Sequence, residues 1–326
     1  MGLSWEPLRA DDAHAWAAHT AAVEAADLTG ENYDADDLAE ELEDTQIDLA
    51  RGTLTARDGD VLAAVAVLRH SATASPEDRV YLDSSVHPAY RGRGLGAELI
   101  RWAVRTAAPL SAERFPGAPV ELHASVHEAN TGKAALFEQE GFTPRRWFFD
   151  MKRDLPADTV PPVVAAPDGV RIVGFDPAAH DAAALEVRNE AFADHWGSTM
   201  QTEQTWRQWF TGTRAFRPDL SYVAVAENAD GTDEVVAILL SQYFAADTAV
   251  TGIQEMWIST IGTRRAWRKR GLASALIGAA LTEAHRQGFD RAALGVDADS
   301  PTGALGVYQR AGFAVEFRTT RYVREL

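Results

Sequence analysis

The sequence predicts a mixed α/β protein, an α+β arrangement built twice in tandem. Three observations carry that reading. The stretch "HPAYRGRGLG" at 87–96 returns as "RRAWRKRGLA" at 264–273, which matches Arg91, Gly94 and Gly96 with Arg268, Gly271 and Ala273. Each copy follows a strand-type apolar run and opens a helix-type pattern, and a strand, a helix ending in "GF" and a last strand come after it. A chain of 326 residues also holds about two domains of the usual size.

The elements follow in order. In the first half Leu3–Leu8 reads as a strand, Ala13–Ala25 and Ala35–Glu43 as helices, and Thr53–Ala56, Val61–Leu68 and Val80–Val86 as strands. "GRGLGAELIRWAVRTA" then gives a helix, "VELHASV" a strand, "TGKAALFEQEGF" a helix with its stop, and "RWFFDMK" a closing strand. The segment "DLPADTVPPVVAAPDG" carries prolines at 156, 161, 162 and 167, which are excluded from helix interiors and central strands. It reads as a linker over 154–169 between domains at 1–153 and 170–326. Beyond it come a strand at Val170–Val173, helices at Ala178–Phe192 and Glu203–Phe210, and strands at Tyr222–Ala226 and Val235–Tyr243 joined by the turn-rich "ENADGTDE". A strand at Glu255–Ile261 leads into the second glycine turn. The next helix repeats Leu272, Leu276, Ile277, Ala280 and Leu281 at three- and four-residue spacing and stops at Gly288. A strand ending at Val296, a helix at Gly303–Arg310 and a last strand through Tyr322 complete the chain.

Composition narrows the function. Apolar residues make up 46% of the chain and charged residues 24%, as in soluble globular proteins with full cores. The absence of cysteine excludes disulfides, a cysteine nucleophile and thiolate metal sites. No two histidines share a helical face at ligand spacing, so no metal is expected. The longest clean apolar run, "VLAAVAVL" from Val61, is far short of a membrane span, and the N-terminus lacks a cationic lead into an apolar segment. A cytoplasmic protein is the expectation. A net charge of −17 argues against a nucleic-acid surface and suits cationic acceptors such as amines.

A glycine-rich turn between strand and helix exposes backbone N–H groups at the positive end of the helix, which makes an anion site. Gly94 and Gly271 let the main chain come close to a ligand, and Gly96 and Ala273 keep the first helical turn free of bulk. Arg91, Arg93, Arg268, Lys269 and Arg270 add positive charge. The spacing fits neither the dinucleotide fingerprint nor the phosphate loop of nucleotide hydrolases.

With these turns repeated over nearly its whole length, the chain resembles the GNAT acyltransferase superfamily twice. The resemblance implies two tandem folds, each a mixed, mostly antiparallel sheet flanked by helices, with acetyl-CoA as co-substrate. It implies that the backbone at Arg91, Gly92, Arg93, Gly94, Leu95 and Gly96, and again at Arg268, Lys269, Arg270, Gly271, Leu272 and Ala273, holds the coenzyme A pyrophosphate. The pantetheine would lie beside Val86 in one half and Ile261 and Thr263 in the other. Family members often carry an asparagine and then a tyrosine on the helix before "GF", the tyrosine placed to protonate the departing thiolate. Tyr308 stands there in the C-terminal half, with Ser300 in the asparagine's place. The N-terminal half has Asn130 but Phe137, which cannot donate a proton.

An amine is mostly protonated at neutral pH, so the chemistry also asks for a base. Glu255, on the strand entering the second turn, is the candidate, with Asp83 its nearest analogue in the first half. The C-terminal half is thus expected to be catalytic. The acceptor in this fold usually lies over the first helices, which points to Glu190, Asp194, His195 and Trp196; His195 is a second candidate base. The expected function is acetyl transfer from acetyl-CoA to a primary amine of a small molecule, by a monomer with internal pseudo-symmetry or a homodimer. More loosely, the tandem arrangement resembles two-domain members that acetylate the cysteinyl amine of a sugar-linked thiol. A non-catalytic acyl-CoA sensor or scaffold and a protein acetyltransferase are the remaining readings.

Overall fold

The computed structural model describes residues 2–74, 76–228, 231–300 and 303–326. The first half contains β1 (Ser4–Glu6), α1 (Ala13–Asp27), α2 (Ala35–Leu42), β2 (Thr53–Asp58), β3 (Val61–Arg69), β4 (Asp78–Val86), α3 (Leu95–Arg114), β5 (Val120–His127), α4 (Thr131–Gln139) and β6 (Thr143–Asp154). The second contains β7 (Val170–Gly174), α5 (Pro177–Phe192), α6 (Glu203–Trp206), β8 (Tyr222–Glu227), β9 (Asp233–Gln242) and α7 (Ala245–Thr251). It continues with β10 (Glu255–Thr263), α8 (Leu272–Arg286), β11 (Arg291–Asp297), α9 (Ala304–Arg310) and β12 (Ala314–Glu325). Ala229 and Asp230 of the expected hairpin turn lie outside the described residues, as do Pro301 and Thr302.

The chain forms two compact units, Met1–Trp147 with Arg318–Leu326, and Phe148–Phe317. In the first unit the strand order is β1, β2, β3, β4, β5 and the end of β12; in the second it is the end of β6, then β11, β10, β9, β8 and β7. Both sheets are antiparallel except where β4 meets β5 and β10 meets β11. The units differ from a linear division of the chain in their closing strands. The end of β12 pairs with β5, Thr319 opposite His127 and Glu325 opposite Glu121, while Phe148–Asp154 pairs with β11. Tyr322 accordingly packs into the first unit's core and Met151 into the second's. An alternating strand records which face is buried and not whose backbone it bonds, so the sequence carried no sign of the exchange. The proline-rich segment belongs to the second unit as well. Its Leu155 is buried in that core, and Val164 covers Gly278 of α8, where a Cβ would stand 3.2 Å from it.

Each sheet buries both faces. In the first unit Leu99, Ile100, Ala103 and Ala107 of α3 pack with Leu68, Leu82 and Leu122, while Trp16, Leu38 and Leu42 of α1 and α2 cover Leu62, Val65 and Val67. In the second, the α8 residues read from the sequence as one apolar face are all buried against Met256, Ile258 and Leu294, and Trp206 sits with Val187 and Ile238 on the other side. The expected helix at Glu203–Phe210 is α6 followed by a wider turn, closed by the Gly212 amide donating to Arg207 O at 2.7 Å. Helix α3 runs on through Pro109 to Arg114 because Leu110 and Ser111 continue its buried face. Helix α7 carries no periodic apolar face and was invisible to pattern reading. Among the described residues no helix is long and apolar enough to cross a membrane.

Candidate active site

The two glycine turns are built alike. After β4 a short turn at Pro88–Tyr90 leads to Gly94, at φ 82°, and α3; after β10 a turn at Arg265–Trp267 leads to Gly271, at φ 87°, and α8. These φ values tax any residue with a Cβ. Helices α3 and α8, like α1, α7 and α9, have no side-chain cap, and they alone of these follow a strand and a glycine turn that carries cations. Their first-turn N–H groups are left for an anion. A Cβ added at Gly92, Gly94 or Gly271 would meet nothing within 4 Å, so the approach is open. Lys269, at φ 62°, occupies the place of Gly92, at φ 74°, and so holds a left-handed conformation with a full side chain.

Arg91 and Arg268 brace these turns. Arg91 donates from Nε to the Val86 carbonyl at 3.1 Å and meets both oxygens of Asp27, at 2.6 and 2.9 Å. Arg268 donates to the Thr263 carbonyl at 3.4 Å and the Ala191 carbonyl at 2.9 Å. Each thereby ties a strand end and its turn to the end of the unit's first helix. Arg93, 5.1 Å over the Tyr90 ring, is exposed at the first turn, and Lys269 and Arg270, the latter 4.7 Å over Trp267, are exposed at the second. Asp27 also accepts from Asn130 Nδ2 at 3.3 Å, and Asn130 caps α4. Ser300 does not cap α9, which begins behind Gly303.

Beside each turn the parallel strands part. Pairing of β4 with β5 ends at Leu82 opposite Ala124, although β4 runs to Val86; pairing of β10 with β11 ends at Ile258 opposite Leu294, where β10 also bulges. The free backbone edges beyond can accept an extended ligand. Ile261 and Thr263 lie on the parted stretch of β10, as Val86 does on β4. In the first unit this region opens into a cleft of about 760 Å³, lined by Asp83, Ser85, Val86, Arg91, Gly94 and Phe137 among others.

The sheet face toward the first helices differs in charge between the units. Three residues before the parting, β10 has Glu255 opposite Arg291, and the carboxylate pairs with Arg291 and with Lys152 Nζ at 3.7 Å. At the same register in the first unit Arg79 stands opposite Glu121, with 4.0 Å between their charges. Arg79, and not Asp83, is therefore the structural counterpart of Glu255. One step past the parting, Asp150 lies opposite Gly295, whereas Arg321 lies opposite Ser125 in the first unit. Gly295 leaves room beside Asp150, since a Cβ there would come only to 3.8 Å from Trp257. Among the described residues the Asp150 carboxyl has no hydrogen-bond or ion-pair partner. Burial pushes it up to about 6, with Lys152 opposing and Glu255 adding.

Tyr308 packs against the core beside Phe313, at 6.4 Å between ring centres, and burial pushes its phenol up to about 12. Among the described residues its hydroxyl has no hydrogen-bond partner. Phe137, the matching residue of α4, is fully buried between Phe142 and Tyr322.

The four expected acceptor residues divide in two. Glu190 accepts from the Arg265 amide and from Arg264, both at 2.8 Å, and Asp194 lies 2.5 Å from Arg265, so both carboxylates fasten the turn. For Glu190 the upward push of burial is outweighed by these donors, which hold it below its ordinary range. His195 and Trp196 remain toward the sheet, Trp196 at 6.5 Å from Phe148. Burial holds the His195 imidazole below its ordinary value, with Asp297 opposing, so the ring is neutral at neutral pH. Sequence reasoning missed Asp27, Asp150 and Arg291. None stands in a motif, and only the strand register brings the last two to Glu255.

A family model described as the acetyltransferase (GNAT) family matches residues 16–142 and 182–313. The chain is 31% identical over 248 residues to the mycothiol acetyltransferase of Tsukamurella paurometabola, covering 74% of this chain and 77% of that protein. It is 32% identical over 262 residues to the mycothiol acetyltransferase of Thermobispora bispora, with 78% of each covered. Among solved structures, a GCN5-related N-acetyltransferase from Sphaerobacter thermophilus superposes with a TM-score of 0.74 at 28% identity, covering 99% of this chain and 95% of that one. A tandem GNAT protein from the clavulanic acid biosynthesis pathway shares the fold, with a TM-score of 0.70 at 18% identity over 99% and 98% of the two chains. Matched in both halves, the chain belongs to the GNAT acetyltransferase family as a tandem member and is an N-acetyltransferase.

Proposed function

We propose that the second unit transfers an acetyl group from acetyl-CoA to the primary amine of a small molecule. The exchange of an unbonded carboxylate for an arginine beside the parting carries the assignment. Glu255 is held by Arg291 and Lys152, and Arg79 by Glu77 and Glu121, so the difference an ammonium acceptor meets is Asp150 in the second unit, which draws it, and Arg321 at the same register in the first. Glu255 and Asp150 form a carboxylate pair for the amine's proton, and Asp150 is the member with no cation bonded to it. The deprotonated amine attacks the thioester carbonyl, the carbon–sulfur bond breaks, and Tyr308 donates to the leaving sulfur. His195 and Trp196 wall the acceptor. The glycine turns of both units hold the coenzyme through main-chain N–H groups.

The relatives named mycothiol acetyltransferase favour one particular acceptor, a cysteinyl amine. The test is thiol release from acetyl-CoA over a panel of small primary amines that includes cysteinyl compounds held as S-blocked derivatives. With no cysteine in the chain, every thiol detected is product. Turnover with at least one amine is expected, and binding of the coenzyme without turnover of any would sink the reading.

Lys269→Gly should leave the fold intact and raise its stability by about 1 kcal/mol, because a left-handed residue with a Cβ costs about 1–3 kcal/mol and glycine's added chain entropy returns part of that. The same change should raise KM for acetyl-CoA several-fold through the lost charge. Thermal melting and initial-rate kinetics check the two halves of the prediction.

A further inference from the structure

The cleft of the first unit holds a pair of side chains that amine acetylation in the second does not use. Ser85 lies on β4 past the point where β4 and β5 part, and it lines the cleft next to Val86 and the glycine turn. Its hydroxyl is 2.8 Å from His19 Nε2, and His19 Nδ1 is 2.7 Å from the Leu62 carbonyl oxygen. A carbonyl can only accept, so Nδ1 carries the ring proton and Nε2 is left to accept from the Ser85 O–H. A nucleophile, a base and a group that fixes the base's tautomer thus stand in hydrogen-bond order.

The surroundings fit that order. His19 is 2% exposed, on α1, so its ring cannot swing away from Ser85 without breaking the packing. Burial, more than the opposing Leu62 carbonyl, holds its imidazole below the ordinary value, with His87 and Arg91 pushing the same way and Asp83 against. The ring is therefore neutral at neutral pH and able to take a proton. Arg91 is itself held by Asp27. The second unit has Gly262 where the first has Ser85, each next to last in its strand, so the pair is particular to the first unit.

We propose that Ser85 and His19 form an acyl-transfer site of the first unit, in which an acyl thioester of coenzyme A acylates Ser85. The proposal rests on the first glycine turn holding the coenzyme. Ser85 Oγ attacks the thioester carbonyl while its proton passes to His19 Nε2. The carbon–sulfur bond breaks, the thiolate takes that proton, and an ester remains on Ser85. Water then attacks the ester, losing a proton to His19 Nε2, which returns it to Ser85 Oγ as the carboxylic acid departs. The sum is thioester plus water to acid plus thiol, and an amine entering in place of water would leave as the amide.

The test uses the full chain and acetyl-CoA with no amine present. Three quantities are read: thiol release, the mass of the peptide containing Ser85 after acid quench, and the number of coenzyme A sites by calorimetry. Wild type is expected to bind coenzyme A in both units, to release thiol slowly, and to carry acetyl on Ser85. Ser85→Ala should abolish the adduct and slow release by about 10²-fold or more with both binding sites intact, and His19→Gln should slow acylation similarly. Ser85→Cys should restore the adduct as a thioester, which separates loss of the nucleophile from loss of the fold. Release unchanged in Ser85→Ala overturns the proposal. So does a wild type that fills both sites yet shows neither adduct nor release. If calorimetry finds the first unit empty, the proposal falls with its coenzyme site, while amine acetylation by the second unit stands on its own assay.

Discussion

Replacing Tyr308 by phenylalanine is expected to lower kcat for amine acetylation by about 10²-fold, with KM for acetyl-CoA changed by less than a factor of about three. The ring packs beside Phe313 and its hydroxyl bonds to nothing among the described residues, so the substitution removes an oxygen without leaving a buried partner unsatisfied. A fold defect is therefore not expected to mimic a chemical one. General acid catalysis contributes about 10²–10⁴, and the low end applies here for a physical reason. Burial pushes the phenol up to about 12, so it keeps its proton at every working pH, but full transfer to a thiolate whose ordinary pKa is about 8.5 is uphill. The phenol stabilises the leaving sulfur chiefly as a hydrogen-bond donor while charge develops. It follows that Tyr308 should contribute no fall in rate between pH 7 and 10. Steady-state kinetics of both proteins with one active amine decide the matter, and equal kcat values would remove Tyr308 from the mechanism.

The parts of the molecule that were legible in the sequence are those in which a local pattern has a local cause. The glycine turns, the helices behind them and the apolar face from Leu272 to Leu281 follow from φ preferences and from periodicity, and they stand as read. Phe137 against Tyr308 was legible because both sit at a fixed distance from a "GF" stop. What escaped depends on strand register. The exchange of closing strands joins residues as distant in the chain as Asp150 and Gly295, and nothing in either stretch announces the partner. The arginines of the turn were read as phosphate charge from sign alone, yet Arg91 and Arg268 spend their donors on carbonyls and Asp27. Glu190 and Asp194 were read as acceptor ligands from their place on the first helices and their charge, and in the fold Glu190 holds Arg264 and the Arg265 amide while Asp194 holds Arg265. Sequence gives a side chain's charge, but only the fold gives the partner that consumes it.

Asp150→Asn should make the protein slower and more stable at once. In the second unit Asp150 shares its sheet face with Lys152 and Asp154 on its own strand, Arg291 and Asp297 on β11 and Glu255 on β10, yet it bonds to none of them. Its carboxyl is raised by burial to about 6, so between pH 4 and 6 the native state binds more protons than the unfolded chain, and stability falls as pH rises through that window. Above it the ionised carboxylate costs the fold on the order of 1–2 kcal/mol, after allowance for its partial exposure. Asparagine removes that cost, so melting at pH 7.5 should rise by a few degrees, at about 2–4 °C per kcal/mol, and the gap from wild type should close below pH 4. Activity should move the other way. An amine needs the ionised carboxylate, so wild-type kcat/KM should climb with pH through about 6, and the variant should lose that step together with about 10² in rate. A carboxyl that only served the fold would give a different pair of results, with asparagine destabilising the protein and leaving its rate unchanged, because a structural carboxylate is retained for the partners it bonds. A group kept unbonded at a cost to stability, beside a glycine that leaves room for a ligand, is instead what an acceptor site requires.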